Sequence, residues 1–507
     1  MVFLHRHISV YIFVGCLVLS ACSGGSGTTQ TADTPTPPPI TTNTLSLQNG
    51  PTQIACDGKT FPEQWLWGAS GNAAVGQPQA ATSGEPKIEQ WRGGKLIATY
   101  AHFGTSGSYS AANTFPGADP TGGAFSRQPY RQFAEGDEYR VYPAVYEGLT
   151  QQPWIGPMVA SFMGVSQMPK NISIRGITVN GVRPLLRLPS EGASNNTLGQ
   201  SMIYFDQSEN IIFDNFDIES TASSGGLGRA AIYINGAKNL TLRNLRLHGF
   251  KAQSANGIFG TDANSGTLRL ENLEIYDNGG GNGPEHNFYI GASSVDPNFT
   301  VHLTGSYSHD AYYGHLFKSR AQKNILEGNY FRGNVAGAQQ AENYLVDVPN
   351  GGVLTMRNNV LVKNASGDNS NGLMVTFKME GASDTRPDAI TIEHNTFVAH
   401  TRFFDSQQHQ VAPYSFFYPS KNPDLAGFPV ANVKVRGNAY IGLCQHYGAE
   451  LNYRGVDYVE GWFDLINNDF TLKGLASVAQ GSAMQSPSYS FPLGVTARSG
   501  NQAGGRD

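Results

Sequence analysis

His286-Asn287-Phe288-Tyr289-Ile290-Gly291 and Gly314-His315-Leu316-Phe317-Lys318-Ser319-Arg320 read as one short strand written twice, each led by a histidine. Stepping outward recovers five more versions: Ser201-Met202-Ile203-Tyr204-Phe205, Ala230-Ala231-Ile232-Tyr233-Ile234, Asn256-Gly257-Ile258-Phe259-Gly260, Asn343-Tyr344-Leu345-Val346-Asp347 and Asn371-Gly372-Leu373-Met374-Val375. Their aligned starts fall at Ser201, Ala230, Asn256, His286, His315, Asn343 and Asn371, a nearly constant step. A period in the range of roughly 20–50 residues marks a solenoid. Strands with Gly- and Asn-rich turns make it a parallel β-helix.

Between these strands lies a second repeated phrase. Ile211 to Ile218, Leu240 to Leu247 and Leu268 to Ile275 each pair two alternating strands around a central Asn. Asn215, Asn244 and Asn272 recur at the same step and are expected to stack as a ladder in one turn, with the phrase returning at Asn329, Asn359, Asn395 and Asn438. Strand side chains alternate between faces. If Ile203, Ile232, Ile258, Phe288, Phe317, Leu345 and Leu373 point inward, then Tyr204, Tyr233, Phe259, Tyr289, Lys318, Val346 and Met374 point outward. This alignment places Asp347 inward with Ser319.

Composition fits such a fold. Sixty glycines against 14% charged residues favour turns and strands over long helices. A formal net charge of -5 across 507 residues gives no bulk attraction for nucleic acid, so an anionic ligand needs a local basic patch.

Residues 1–21 read as an export signal: Arg6, then an apolar run from Ile8 to Leu19. Leu19-Ser20-Ala21-Cys22 resembles the lipobox of bacterial lipoproteins, which implies lipidation at Cys22 and a mature protein held at the cell envelope through its lipid. An ordinary signal cleaved nearby is the alternative. Residues 22–50 are Gly-, Ser-, Thr- and Pro-rich and read as a flexible tether. Residues 51–135 are expected to cap the first coil, 136–483 to form the helix, and 484–507 to be a loose tail. Cys56 and Cys444 stand at opposite ends of the array and are expected to be unpaired, in a monomer.

Gly136-Asp137-Glu138-Tyr139-Arg140-Val141 through Tyr146-Glu147-Gly148 resembles the opening coil of right-handed parallel β-helices, and Asp469-Phe470-Thr471-Leu472-Lys473-Gly474 resembles their closing phrase. The region 136–483 is similar to the pectate-lyase-like superfamily, which implies an all-β, right-handed parallel β-helix with an N-terminal cap. That superfamily holds lyases, epimerases and hydrolases acting on polysaccharides, so the resemblance fixes fold better than function. The Asp-Pro-His-Asp motif of the epimerases and the aspartate pairs of the hydrolases are not found, and no acidic calcium ladder is evident, which leaves a calcium ion open as cofactor.

Eliminative cleavage of a uronate polymer needs a cation on the carboxylate, a base for the C5 proton and an acid for the leaving oxygen. Lys318 as base, Arg320 as neutraliser, and His309, His315 or Tyr289 as acid match those needs in residue type. Tyr204, Tyr233, Phe259, His286, His248 and Tyr276 are the candidate substrate-binding residues. The two column histidines, His286 and His315, have an equally good structural reading as members of a turn ladder. The expectation is thus a polysaccharide lyase, with a non-catalytic glycan-binding scaffold, or a hydrolase using loop carboxylates near Asp262 or Asp310, as alternatives.

Overall fold

The structure is a computed structural model that describes residues 52–54, 60–62, 78–100, 134–147, 158–160, 170–188, 201–221, 230–251, 255–280, 285–333, 341–363, 374–380, 386–399, 417–419, 433–436, 439–441, 462–464 and 469–473. The signal, the tether, Cys22, Cys56, Cys444, most of 401–428 and the 484–507 tail lie outside these residues. Every described element is a β-strand. Most belong to three long sheets of 12, 10 and 9 strands, parallel throughout except at one end of the first.

The chain visits the three sheets in turn. Thr241–Arg243 lies in the first sheet, Arg246–His248 in the second and Asn256–Gly260 in the third; Thr267–Glu271, Glu274–Tyr276 and Phe288–Ile290 then repeat the circuit one strand further along each sheet. This arrangement is compatible with a parallel β-helix. Most coils contribute one or two large side chains per sheet to the interior. In the first sheet Ile174, Phe213, Leu242, Leu270, Leu303, Leu326, Met356 and Ile392 lie in register, all buried. Ile203, Ile232, Ile258, Phe288 and Phe317 do the same in the third. Such a side chain contributes about 1.5–3 kcal/mol by burial, so three per coil bind each coil to the stack without long helices.

The turn between first and second sheets needs a left-handed residue, and Asn215, Asn244, Asn272, Gly305, Gly328, Asn358 and His394 fill it, all with positive φ. Asn tolerates that conformation better than other side-chain residues. The expected ladder is therefore two ladders. Asn272 donates to Asn244 at 2.7 Å, while Asn244 donates to Asp214 and not to Asn215. Asn329, Asn359 and Asn395 sit one position later, fully buried, and donate one to the next at 3.0 and 2.8 Å. In the earlier coils that inner position holds Phe216, Leu245 and Leu273.

At the low-numbered end, the hairpin Ile88–Arg92 and Lys95–Tyr100 adds antiparallel to strand Glu138–Val141. Buried Asp137 ties the two together, accepting from Arg92 Nε at 2.6 Å, Gln90 Nε2 at 2.8 Å and the Ala134 amide at 2.9 Å.

Candidate functional site

In the third sheet, Tyr204, Tyr233, Phe259, Tyr289 and Lys318 are in register, and from Tyr233 on the column runs along the outer face as expected. The next step departs from the sequence alignment. Phe317 pairs with Val346 and not Leu345, and Lys318 pairs with Asp347, so the register is shifted by a single position. Such a slip exchanges the faces of a strand. Asp347 and then Thr376 therefore continue the outward column, while Val346 and Val375 continue the core. Asp347 does not face inward with Ser319.

The slip builds a cluster. Lys318 Nζ lies 3.2 Å from Asp347 Oδ2 and 2.8 Å from Glu380 Oε1. Arg320 grips the other Glu380 oxygen through Nη2, donates from Nε to Tyr289 Oη at 3.0 Å, and from Nη1 to Asn350 Oδ1 at 2.6 Å. Thr376 Oγ1 donates to Asp347 Oδ1 at 2.8 Å. Burial pushes the Asp347 carboxyl up, only partly offset by Lys318 and the Thr376 hydroxyl. Burial acts the same way on Glu380, but Lys318 and Arg320 outweigh it and hold that carboxyl below its usual range.

The two column histidines lie on the same coils. Asn256 Oδ1 accepts the His286 amide at 2.8 Å, His286 Nδ1 accepts the His315 amide at 2.8 Å, and His315 Nδ1 accepts the Tyr344 amide at 3.1 Å. The imidazole Nδ1 thus does the work of the asparagine oxygen, and the ladder continues to Tyr344 instead of Asn343. A nitrogen that accepts an amide proton carries none, so in each neutral ring the hydrogen sits on Nε2. For His315 that atom lies 3.4 Å from Asp347 Oδ2. Burial and the neighbouring cations, Lys318 and Arg320 and for His315 also Lys363, hold both rings well below the usual imidazole value; each ring is therefore a neutral donor. Gly314, at φ +73°, is needed at this corner, where a Cβ would strike the Glu285 carbonyl and the His286 ring.

The aromatic strip has a different character from the one expected. Tyr233 stacks on Phe259 with centroids 5.6 Å apart, and Phe259 on Tyr289 at 5.2 Å. Their faces are largely turned to one another, so the strip does not offer a row of open faces for sugars. It ends against the cations, with Arg320 and Lys318 5.8 and 6.0 Å from the Tyr289 centroid.

His309 does not join this cluster. His248, Tyr276, His309 and Arg332 stand in register, but in the second sheet. The rings stack at 4.7 and 4.8 Å. His309, fully buried, has Nδ1 2.6 Å from Asp310 and Nε2 3.6 Å from Glu274. Asp310 also pairs with Arg332, and Asp217 with Arg246 at 2.9 Å. Asp310, the carboxylate named for the hydrolase alternative, is embedded in a charge network. Burial alone would raise Asp310, Glu274 and Asp217, but their histidine and arginine partners hold all three below the usual range.

Asp217, Glu219 and His248 bring potential metal-ligand atoms within 4.8 Å of one another. Arg183 and Arg246 already pair with Asp217, and Arg187 with Glu219 at 2.5 Å. Carboxylates neutralised by three guanidinium groups do not suit a cation.

No family model, curated protein or solved structure matches the chain. Over the described residues, the class the structure itself defines is all-β, built of long parallel sheets, with a polar cluster on the outer face of the third.

Proposed function

We propose that this protein is a polysaccharide lyase that cleaves a uronate-containing polymer by β-elimination at the Tyr289, Lys318 and Arg320 cluster. The observation that carries this reading is the convergence of Lys318 and Arg320 on the two oxygens of a single carboxylate, that of Glu380, beside the Tyr289 hydroxyl. A uronate carboxylate in that place would have its charge neutralised by Arg320, and C5, one bond from the carboxyl carbon, would present its hydrogen beside Lys318. In this reading Lys318, after passing a proton to Asp347, removes the C5 proton; the C–H electrons form the C4–C5 double bond; and the C4–oxygen bond breaks, with Tyr289 protonating the leaving oxygen. Asp347, with its raised carboxyl, suits the role of proton partner. His315 acts as a positioning residue through its Nε2–H toward Asp347.

A hydrolase reading draws on the same cluster. Asp347 and Glu380 share one ammonium and are shifted in opposite directions, a pattern typical of an acid and a base. It requires Asp347 to reach a glycosidic oxygen, and Asp347 is only 1% exposed. An unsaturated, ultraviolet-absorbing product from an acidic polysaccharide tests for elimination. New reducing ends without that absorbance would point to hydrolysis, and binding without either to a glycan-binding scaffold.

The finer features of the fold belong to the same proposal. Connections that return to the same sheet in parallel are almost always right-handed, which supports a right-handed β-helix of the pectate-lyase-like kind. The hairpin Ile88–Tyr100 supports an N-terminal cap. Lipidation at Cys22 would place the monomer at a bacterial cell envelope, and loss of membrane association in Cys22→Ala tests that.

A further inference from the structure

The Lys318 and Arg320 seat is already filled by the chain's own carboxylate. Arg320 is held on three sides: Nε by Tyr289, Nη1 by Asn350 and Nη2 by Glu380. The first two partners fix the guanidinium plane, leaving Nη2 to meet an anion. Lys318 is likewise fixed from below by Asp347, whose side chain is 2% exposed, and its contact with Glu380 faces outward. Glu380 is the odd member, with a side chain 47% exposed where Lys318 and Asp347 are buried. Its backbone is tethered separately, the amide donating to the Pro349 carbonyl at 3.0 Å. Rotation of one side chain would therefore free the seat without moving the backbone.

We propose that Glu380 is a specificity-determining residue, a resident carboxylate that a ligand's own carboxylate must displace from Lys318 and Arg320. The inference rests on the reading of these two cations as a uronate seat. Two donors, each engaging one oxygen of a planar group, match a carboxylate's geometry. A neutral sugar cannot replace the charge that Glu380 supplies, so it would leave Arg320 with only the neutral partners Tyr289 and Asn350, and Lys318 with Asp347 alone. The resident group thus makes neutral polymers non-competitive while costing uronates only part of their affinity.

The test is calorimetric titration of tetra- to hexameric homo-oligouronates, with their carboxyl-reduced neutral counterparts as controls, into the mature wild-type chain, Glu380→Gln and Arg320→Gln. The expected result is uronate binding on the order of tenfold tighter in Glu380→Gln, as fits the loss of two half-exposed ion pairs, no gain for the neutral oligomers, and loss of binding in Arg320→Gln. Uronate binding that Arg320→Gln abolishes and Glu380→Gln leaves unchanged or weakens would overturn the displacement role while leaving the seat intact. Absence of uronate binding in both the wild type and Glu380→Gln would overturn the seat itself.

Discussion

Lys318 and Asp347 stand opposite each other on adjacent strands of the third sheet, Nζ 3.2 Å from Oδ2, both nearly inaccessible to solvent. The pair is asymmetric, because burial has already pushed the Asp347 carboxyl up and Thr376 and His315 also contact it. Lys318→Met therefore leaves an acid that takes up a proton, and is expected to cost about 1 kcal/mol or less. Asp347→Ala leaves the ammonium with half-exposed Glu380 alone and is expected to cost about 2–3 kcal/mol, below the usual range for an orphaned buried charge because one partner remains. Urea unfolding of both variants measures the difference, and equal losses would contradict it.

His286 offers a pH test. Its ring is held well below the usual imidazole value, first by burial and then by Lys318 and Arg320. A lowered imidazole contributes stability that is present above its unfolded value and lost as pH falls below it. Stability should thus begin to fall as pH drops through the ordinary histidine range. His286→Asn keeps the acceptor that Asn256 already supplies in this column and should flatten that part of the curve. An unchanged curve would contradict the assignment.

Asn359 sits mid-ladder. It accepts from the Asn329 amide and side chain, and donates to Leu326 O and Asn395 Oδ1, all in the interior. Asn359→Ala leaves several buried groups unpaired, each costing about 1–3 kcal/mol, and is expected to lower stability by about 3–5 kcal/mol. Asn239→Ala, at an exposed turn, removes the 3.1 Å bond to Asn210 and the 3.1 Å bond accepted from the Thr267 amide and puts alanine at positive φ, and should cost about 1–2 kcal/mol. Urea unfolding of the two variants checks the contrast, and similar losses would contradict it.

The Arg332–Asp310 pair predicts a convergence. Asp310 is held below the usual range, so its contribution is present above its unfolded value and lost as pH falls through the folded one. Arg332→Met should be clearly less stable than wild type at neutral pH, by about 2–3 kcal/mol, and the gap should narrow below the carboxylate range. A constant gap would assign the loss to packing alone.

Much of this was legible in the chain. The repeat places Ile203 through Phe317 inward and Tyr233 through Lys318 outward, as the sheet registers show. It failed at the next coil because Leu345 and Val346 are both apolar and both buried, so hydrophobicity alone could not choose which of them pairs with Phe317. That single step hid Asp347. Glu380 carried no signal at all, being far from Lys318 in the chain and outside any strand. His309 has the residue type of an acid, but residue type does not reveal that it stands in a different sheet from Lys318.

The most direct test of the uronate seat is the absorbance of unsaturated product while the mature wild type, Lys318→Ala and Arg320→Gln are each incubated with acidic polysaccharides. Release by the wild type that both substitutions reduce by at least about a hundredfold, as for groups acting on the transferred proton and the developing charge, is the expected result. Release that persists in both variants, or no release from any uronate polymer, would contradict it.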